Sequence, residues 1–158
     1  MKTKNNQQID YLTKLKYSKL ALTWCKQYFG KNNRKKRKLL LKPKKNTKFI
    51  KRSKVFGLYC FYRNTIYIYL NNCDSIDEII STIIHEYTHY LQPSTKYMYY
   101  QSVYNYTQNP FEIEAKRNEE KCLDKCLNYI ISKSETSLKN KKKFSSWFEY
   151  FKTKSHNQ

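Results

Sequence analysis

"IISTIIHEYTHYLQ", residues 79–92, decides how the rest of this chain is read. Apolar Ile76, Ile80, Ile83, Tyr87 and Tyr90 or Leu91 recur at helical spacing, and Ile79 and Ile84 widen the stripe, so a largely buried helix is predicted. Its start is marked by "SIDE", residues 75–78, where Ser75 can accept from the Glu78 N–H while Glu78 reaches back in a capping box. Pro93 marks its end. Polar groups in such a helix need partners, and this one carries His85, Glu86 and His89.

Side chains four apart on a helix share a face, so His85 and His89 can offer both imidazoles to one ion at the Zn–N distance of about 2.0–2.1 Å. Glu86 is turned about 100° around the helix. It cannot easily ligate beside them, but it can reach a water on that ion. Zinc would bring the water's pKa toward neutrality and Glu86 would take its proton, the chemistry of peptide hydrolysis without a covalent intermediate.

Such a site needs a third protein ligand. After His89 the chain reads "YLQPSTKYMYY" with no histidine, and His156 falls in a tail expected to be solvated. Downstream, "NPFEIEAKRNEEKCLDKCLNYII", residues 109–131, offers Glu112 and Glu114. Glu112 shares its helical stripe with Ala115, Cys122, Cys126 and Ile130, whereas Glu114 shares its stripe with Asn118, Lys121 and Lys125. Glu112 is therefore the expected ligand and Glu114 the alternative, and Ala115 is small enough to let two helices approach. A carboxylate two residues past Pro110 is also favoured by the helix dipole, which would explain Glu112 without any metal.

Around these helices, 158 residues suffice for one domain with a modest core and are too few for two of ordinary size. The reading divides them into an N-terminal helix and basic connector (1–53), a core (54–133) and a basic tail (134–158). From Ile9 to Phe29, Ile9, Leu12, Leu15 or Lys16, Leu20, Trp24, Cys25 and Tyr28 at helical spacing predict an amphipathic helix closed by Gly30. "KNNRKKRK", residues 31–38, reads as a solvated connector, with a nucleic-acid contact through this and the "KNKKK" run as the alternative, and Pro43 demotes "LLLKPKK" to an edge strand or a loop. Residues 54–72 are dense in aromatic and β-branched side chains interrupted by Arg63-Asn64, predicting two antiparallel strands around a tight turn. In the second, Ile66, Ile68 and Leu70 should face the core and Tyr67 and Tyr69 the other side. Residues 94–110 show no clear periodicity and read as a Tyr-rich connection. A helix from Pro110 to about Ser132 follows, then a short amphipathic helix marked by Phe144, Trp147, Phe148 and Phe151. The sum is an α+β fold: a small sheet of two to four strands, the motif helix against it, and a second helix supplying Glu112.

The formal net charge of +20 favours nucleic acid, anionic membrane surfaces or acidic partners, although AT-rich coding alone would multiply Lys, Asn, Ile and Tyr. Five cysteines without a CxxC pair make a disulfide framework unlikely; Cys122 and Cys126 read as small packing residues. "MKTKNNQQID" has no apolar signal core, and no stretch approaches the length of a membrane span, so a soluble, cytoplasmic monomer in a reducing compartment is expected.

"HEYTH" followed by "NPFEIEA", with Glu112 and Ala115 standing as E-x-x-A, resembles a zincin metallopeptidase of the gluzincin type, near the small ImmA/IrrE-like peptidases. The segment "NTIYIYLNNCDSIDEIISTIIHEYTHYLQ" is also similar to SprT-like domains. The resemblance covers about residues 54–130. It implies Zn2+ held by His85, His89 and Glu112, Glu86 as catalytic base, and an edge strand that receives an extended protein or peptide substrate: a zinc metalloendopeptidase. The acidic residue that often follows the family's E-x-x-A is Lys116 here, leaving no named partner for a ligand histidine. A tyrosine of "STKYMYYQSVYNYTQ" could stabilise an oxyanion. The competing expectation is a basic nucleic-acid-binding protein whose zincin-like core is inactive.

Overall fold

The computed structural model describes residues 9–45, 48–50 and 53–154, with side chains at all of these except 49, 50 and 135–154. The first helix, α1, spans Tyr11–Tyr28, and Asp10 caps it by accepting from the Leu12 and Thr13 N–H groups. Its buried stripe is Lys14, Ser18, Ala21, Leu22, Trp24 and Cys25. Trp24 and Cys25 of the predicted face are buried and Leu20 packs against the core, but the first turn differs: Leu12 is 73% exposed and Lys14 enters the interior. The reason is polar. Lys14 Nζ donates to the carbonyls of Leu70 and Cys73, at 3.1 and 2.5 Å, adding a partner to acceptors in a buried chain reversal. Gly30 follows α1 with φ of +77°, a left-handed conformation glycine adopts without steric cost, and its carbonyl accepts the Tyr87 hydroxyl.

The basic connector is more than a solvated link. Asn32 donates from Nδ2 to the Tyr90 carbonyl at 2.8 Å and from its backbone to the Tyr90 hydroxyl, while Lys35 lies 3.5 Å from the centroid of the Phe61 ring. It leads into β1 (Leu40–Lys44), then a small hairpin of β2 (Phe49–Ile50) and β3 (Ser53–Lys54), then β4 (Gly57–Cys60) and β5 (Thr65–Tyr69). β4 and β5 are antiparallel around the predicted turn, where Asn64 takes a positive φ of 46°. β1 pairs with β5 in parallel, giving the order β1-β5-β4, and Pro43 sits on an edge strand as expected. One face of the sheet carries the rows Leu41–Ile66–Tyr59 and Pro43–Ile68–Gly57 toward the core.

After a 3-10 turn at Leu70–Asn72 the chain enters α2 (Ile76–Leu91). The capping box forms as read: the Glu78 N–H donates to Ser75 Oγ at 3.1 Å, and Glu78 accepts from the Ser75 N–H at 3.3 Å. Ile79, Ile80, Ile83, Ile84 and Tyr87 are fully buried between the sheet and the helices on either side. α3 (Ser94–Val103) corrects the reading of residues 94–110 as an irregular connection. It buries none of its residues, so the usual apolar stripe is missing, and it is held instead by Tyr97 and Tyr100 against Phe111.

α4 runs unbroken over Pro110–Lys154, a length of about 68 Å at 1.5 Å per residue. Asn109 starts it by accepting from the Phe111 N–H at 2.9 Å, with Pro110 at the first helical position. The expected break near Ser132 is absent because no Gly or Pro lies between residues 111 and 154. The side chains of Phe144, Trp147, Phe148 and Phe151, and all of His156, lie outside the described residues. Cys122, Cys126 and Ile130 pack α4 into the core, and all five cysteines are free. Among the described residues the fold is thus α+β, four helices around a small mixed three-stranded sheet. Among the described residues no helix is long and apolar enough to cross a membrane.

Candidate metal centre

α2 and α4 cross where Ala115 is fully buried, and the close approach brings three donors to one point. His85 Nε2 and His89 Nε2 lie 3.0 Å apart; Glu112 places Oε2 3.2 Å from the first and Oε1 3.4 Å from the second. All three residues offer ligand atoms within 4.8 Å of one another. The structure therefore brings together His85, His89 and Glu112 as a group that could hold a metal ion. Glu114 lies outside it, exposed on α4.

Burial alone would lower both imidazole pKa values, but contacts with carboxylates outweigh it. Glu112 and Glu119 carry His85 up to about 10, and Glu112 and Glu86 raise His89. For Glu112 burial acts upward and the two histidines overcome it, pulling the carboxyl down to about 2. Two imidazoles and a carboxylate gathered in this way are the donor set of a three-ligand site, and any cation entering must displace their protons.

The far nitrogen of each histidine is also engaged. Gln92 donates through Nε2 to the Phe111 carbonyl at 3.0 Å and to Glu114 Oε2 at 2.9 Å, so its Oε1, 2.8 Å from His89 Nδ1, must be the acceptor. His89 therefore carries a proton on Nδ1 and presents Nε2 to the cluster. Glu119 does the same for His85 through Nδ1. Neither partner was named from the sequence, where Lys116 occupied the expected acidic position. The signal was present one turn further on, because Glu119 stands seven residues after Glu112 and four after Ala115, on the same helical face. Glu119→Gln should weaken metal-ion binding at this cluster roughly 10–100-fold, read by chelator competition, while the exposed neighbour change Glu120→Gln leaves it unaltered.

Glu86 occupies a different position. Its side chain is 93% buried, its Oε2 accepts the Tyr59 N–H at 2.6 Å, and burial raises its pKa against the opposing pull of His85, His89 and that N–H. It reaches the edge strand because residue 57 is glycine: a Cβ there would lie 2.5 Å from Thr82 Cγ2 and 2.9 Å from Glu86 Cγ. In the β4–β5 register, Gly57 and Tyr59 direct their backbone polar groups away from β5, whereas Phe56 accepts from the Tyr69 N–H. A cleft of about 930 Å³ runs along this strand edge, with His85, Glu86, His89, Glu112 and Glu119 on its floor. Tyr97 and Tyr106 form its far wall. The Tyr97 ring stands edge-on to His89 at 5.6 Å, and Tyr106, largely exposed, also lines the cleft. Burial, then Glu112, pushes the Tyr97 phenol up to about 12.

Comparison of the chain with protein-family models, with curated proteins and with solved structures found no match. The class supported by fold and site is an α+β protein with a His-His-Glu cluster able to bind a metal ion.

Proposed function

We propose that this chain is a zinc-dependent metallopeptidase of zincin-like architecture, with His85, His89 and Glu112 as ligands and Glu86 as general base. The observation that carries the reading is the placement of Glu86: a buried carboxylate beside the donor cluster, absent from it, and facing the same cleft. Ligands alone would serve a structural ion, and a base is required only for hydrolysis.

Zinc held there would supply Lewis acidity to a water and to a substrate carbonyl. The chain's own residues supply the rest. An extended peptide pairs with the outward backbone groups of β4, as strands do when they add to a sheet edge. By taking the Tyr59 N–H it releases the Glu86 carboxylate, which accepts a proton from the attacking water and returns it to the departing amine. Glu119 and Gln92 hold the histidine tautomers, and Tyr97 and Tyr106 offer O–H donors where negative charge develops on the substrate oxygen.

Elemental analysis of the purified chain tests the site first. About one zinc per chain is expected, lost in His89→Ala and in Glu112→Ala. Zinc retained in both variants, or bound by none of the three proteins, would remove the basis of the reading.

A further inference from the structure

The charge of this chain is segregated. Residues 11–73 contain 18 of its 32 Lys and Arg and not one Asp or Glu. A coding bias that multiplies lysine does not empty so long a stretch of acids. That stretch builds α1, the connector and the whole three-stranded sheet, while Glu86, Glu112 and Glu119 gather in the cleft. The sheet turns one face to α2. Its other face carries the row Lys42–Tyr67–Leu58, with Lys42, Lys44 and Leu58 exposed and Tyr67 half-buried at the centre.

Cations surround that ring. Lys44 Nζ lies 5.4 Å from the Tyr67 centroid, and Arg63 Nη1 donates to its hydroxyl at 3.5 Å. Beside Arg63, at the tip of the β4–β5 turn, Tyr62 is 76% exposed. The connector is tied to the same end: Asn64 Nδ2 donates to the Arg37 carbonyl, and the Leu40 N–H donates to the Asn64 carbonyl. Exposed Arg37 and Lys38 are thereby fixed next to the turn. A half-buried aromatic ring on the sheet and an exposed one at its turn, bordered by cations, offer what unpaired bases require, although Thr65 and Tyr69 on the same face are buried.

We propose that this outer sheet face binds single-stranded nucleic acid, with Tyr67 and Tyr62 as stacking surfaces and Lys42, Lys44, Arg63 and Arg37 as phosphate contacts. It lies on the side of the sheet away from α2 and needs neither the metal nor Glu86, so it stands or falls independently of the peptidase reading. Duplexes hide their base faces and should bind more weakly at equal charge.

The test is fluorescence anisotropy of the full chain with labelled RNA and DNA strands of about 20 nucleotides, longer than the roughly 4–16-nucleotide footprints of such surfaces. The same sequences as duplexes, and phosphatidylserine vesicles, run beside them. Single strands should bind most tightly. Lys42→Gln with Lys44→Gln should reduce the slope of log affinity against log salt by about 1.4, at roughly 0.7 per phosphate contact. Tyr67→Leu, which keeps an apolar side chain in the sheet, should weaken strand binding about fivefold or more. Lys116→Gln with Lys121→Gln, on exposed positions of α4, should change neither quantity. Equal losses from the α4 pair, duplex binding as tight as single-strand binding, an unchanged Tyr67→Leu, or binding to vesicles alone would each overturn the assignment.

Discussion

Glu86→Gln should, on the proposed function, retain zinc and lose peptidase activity roughly 10²–10⁴-fold, the usual contribution of a positioned acid–base group. The substitution isolates one property. Glutamine has the shape of glutamate and keeps an oxygen to accept the Tyr59 N–H now held at 2.6 Å, so β4 and α2 stay in register. What it cannot do is take a proton. Because Glu86 stands outside the group of His85, His89 and Glu112, metal content should be untouched. Zinc content by elemental analysis and turnover of a peptide library, read on the same preparation, give the answer. Full activity would remove Glu86 from the chemistry, and loss of zinc would make it a ligand.

Gly57→Ala should cost about 1–3 kcal/mol of stability, as overpacking does, and most of the turnover with it. The new methyl would meet Thr82 Cγ2 at 2.5 Å and Glu86 Cγ at 2.9 Å, and neither atom is the free end of a flexible side chain. Either β4 moves away from α2 or Glu86 swings out of the cleft. Thr82→Ser removes the nearer methyl, so adding it should restore part of the melting temperature while activity recovers less, since the contact with Glu86 remains. Thermal unfolding and turnover of both variants separate the two contacts. An unchanged Gly57→Ala protein would mean that strand and helix are not as close as described.

Where local signals agreed with one another, the sequence was a reliable guide. Ser75 and Glu78 announced the start of α2, and the stripe through Glu112, Ala115, Cys122 and Cys126 distinguished an inward carboxylate from an outward one. The failures have a common cause, which is that contacts outside the apolar pattern decided the outcome. α1 is oriented by Lys14 reaching two carbonyls, so a stripe drawn through Leu12 missed it. α3 was hidden because it buries nothing, although Tyr97, Tyr100 and Tyr104 do stand at helical spacing. Gln92 closes α2 and sets the His89 tautomer through a network of four residues that no local window contains. The role of Gly57 depends on a helix that starts 19 residues later, at Ile76.

Between His89 and Glu112 the chain makes an excursion of 22 residues, and α3 lies within it. An ion bridging those two side chains would act as a clasp, pinning both ends of the excursion and removing much of its freedom to wander. Tyr97 and Tyr106 ride on that segment, so the far wall of the cleft would owe its position to the clasp more than to the core. Loading the centre would then do two jobs in one event, arming the floor and raising the wall, and a chain stripped of its ion would lose the shape of the cleft along with its reactivity.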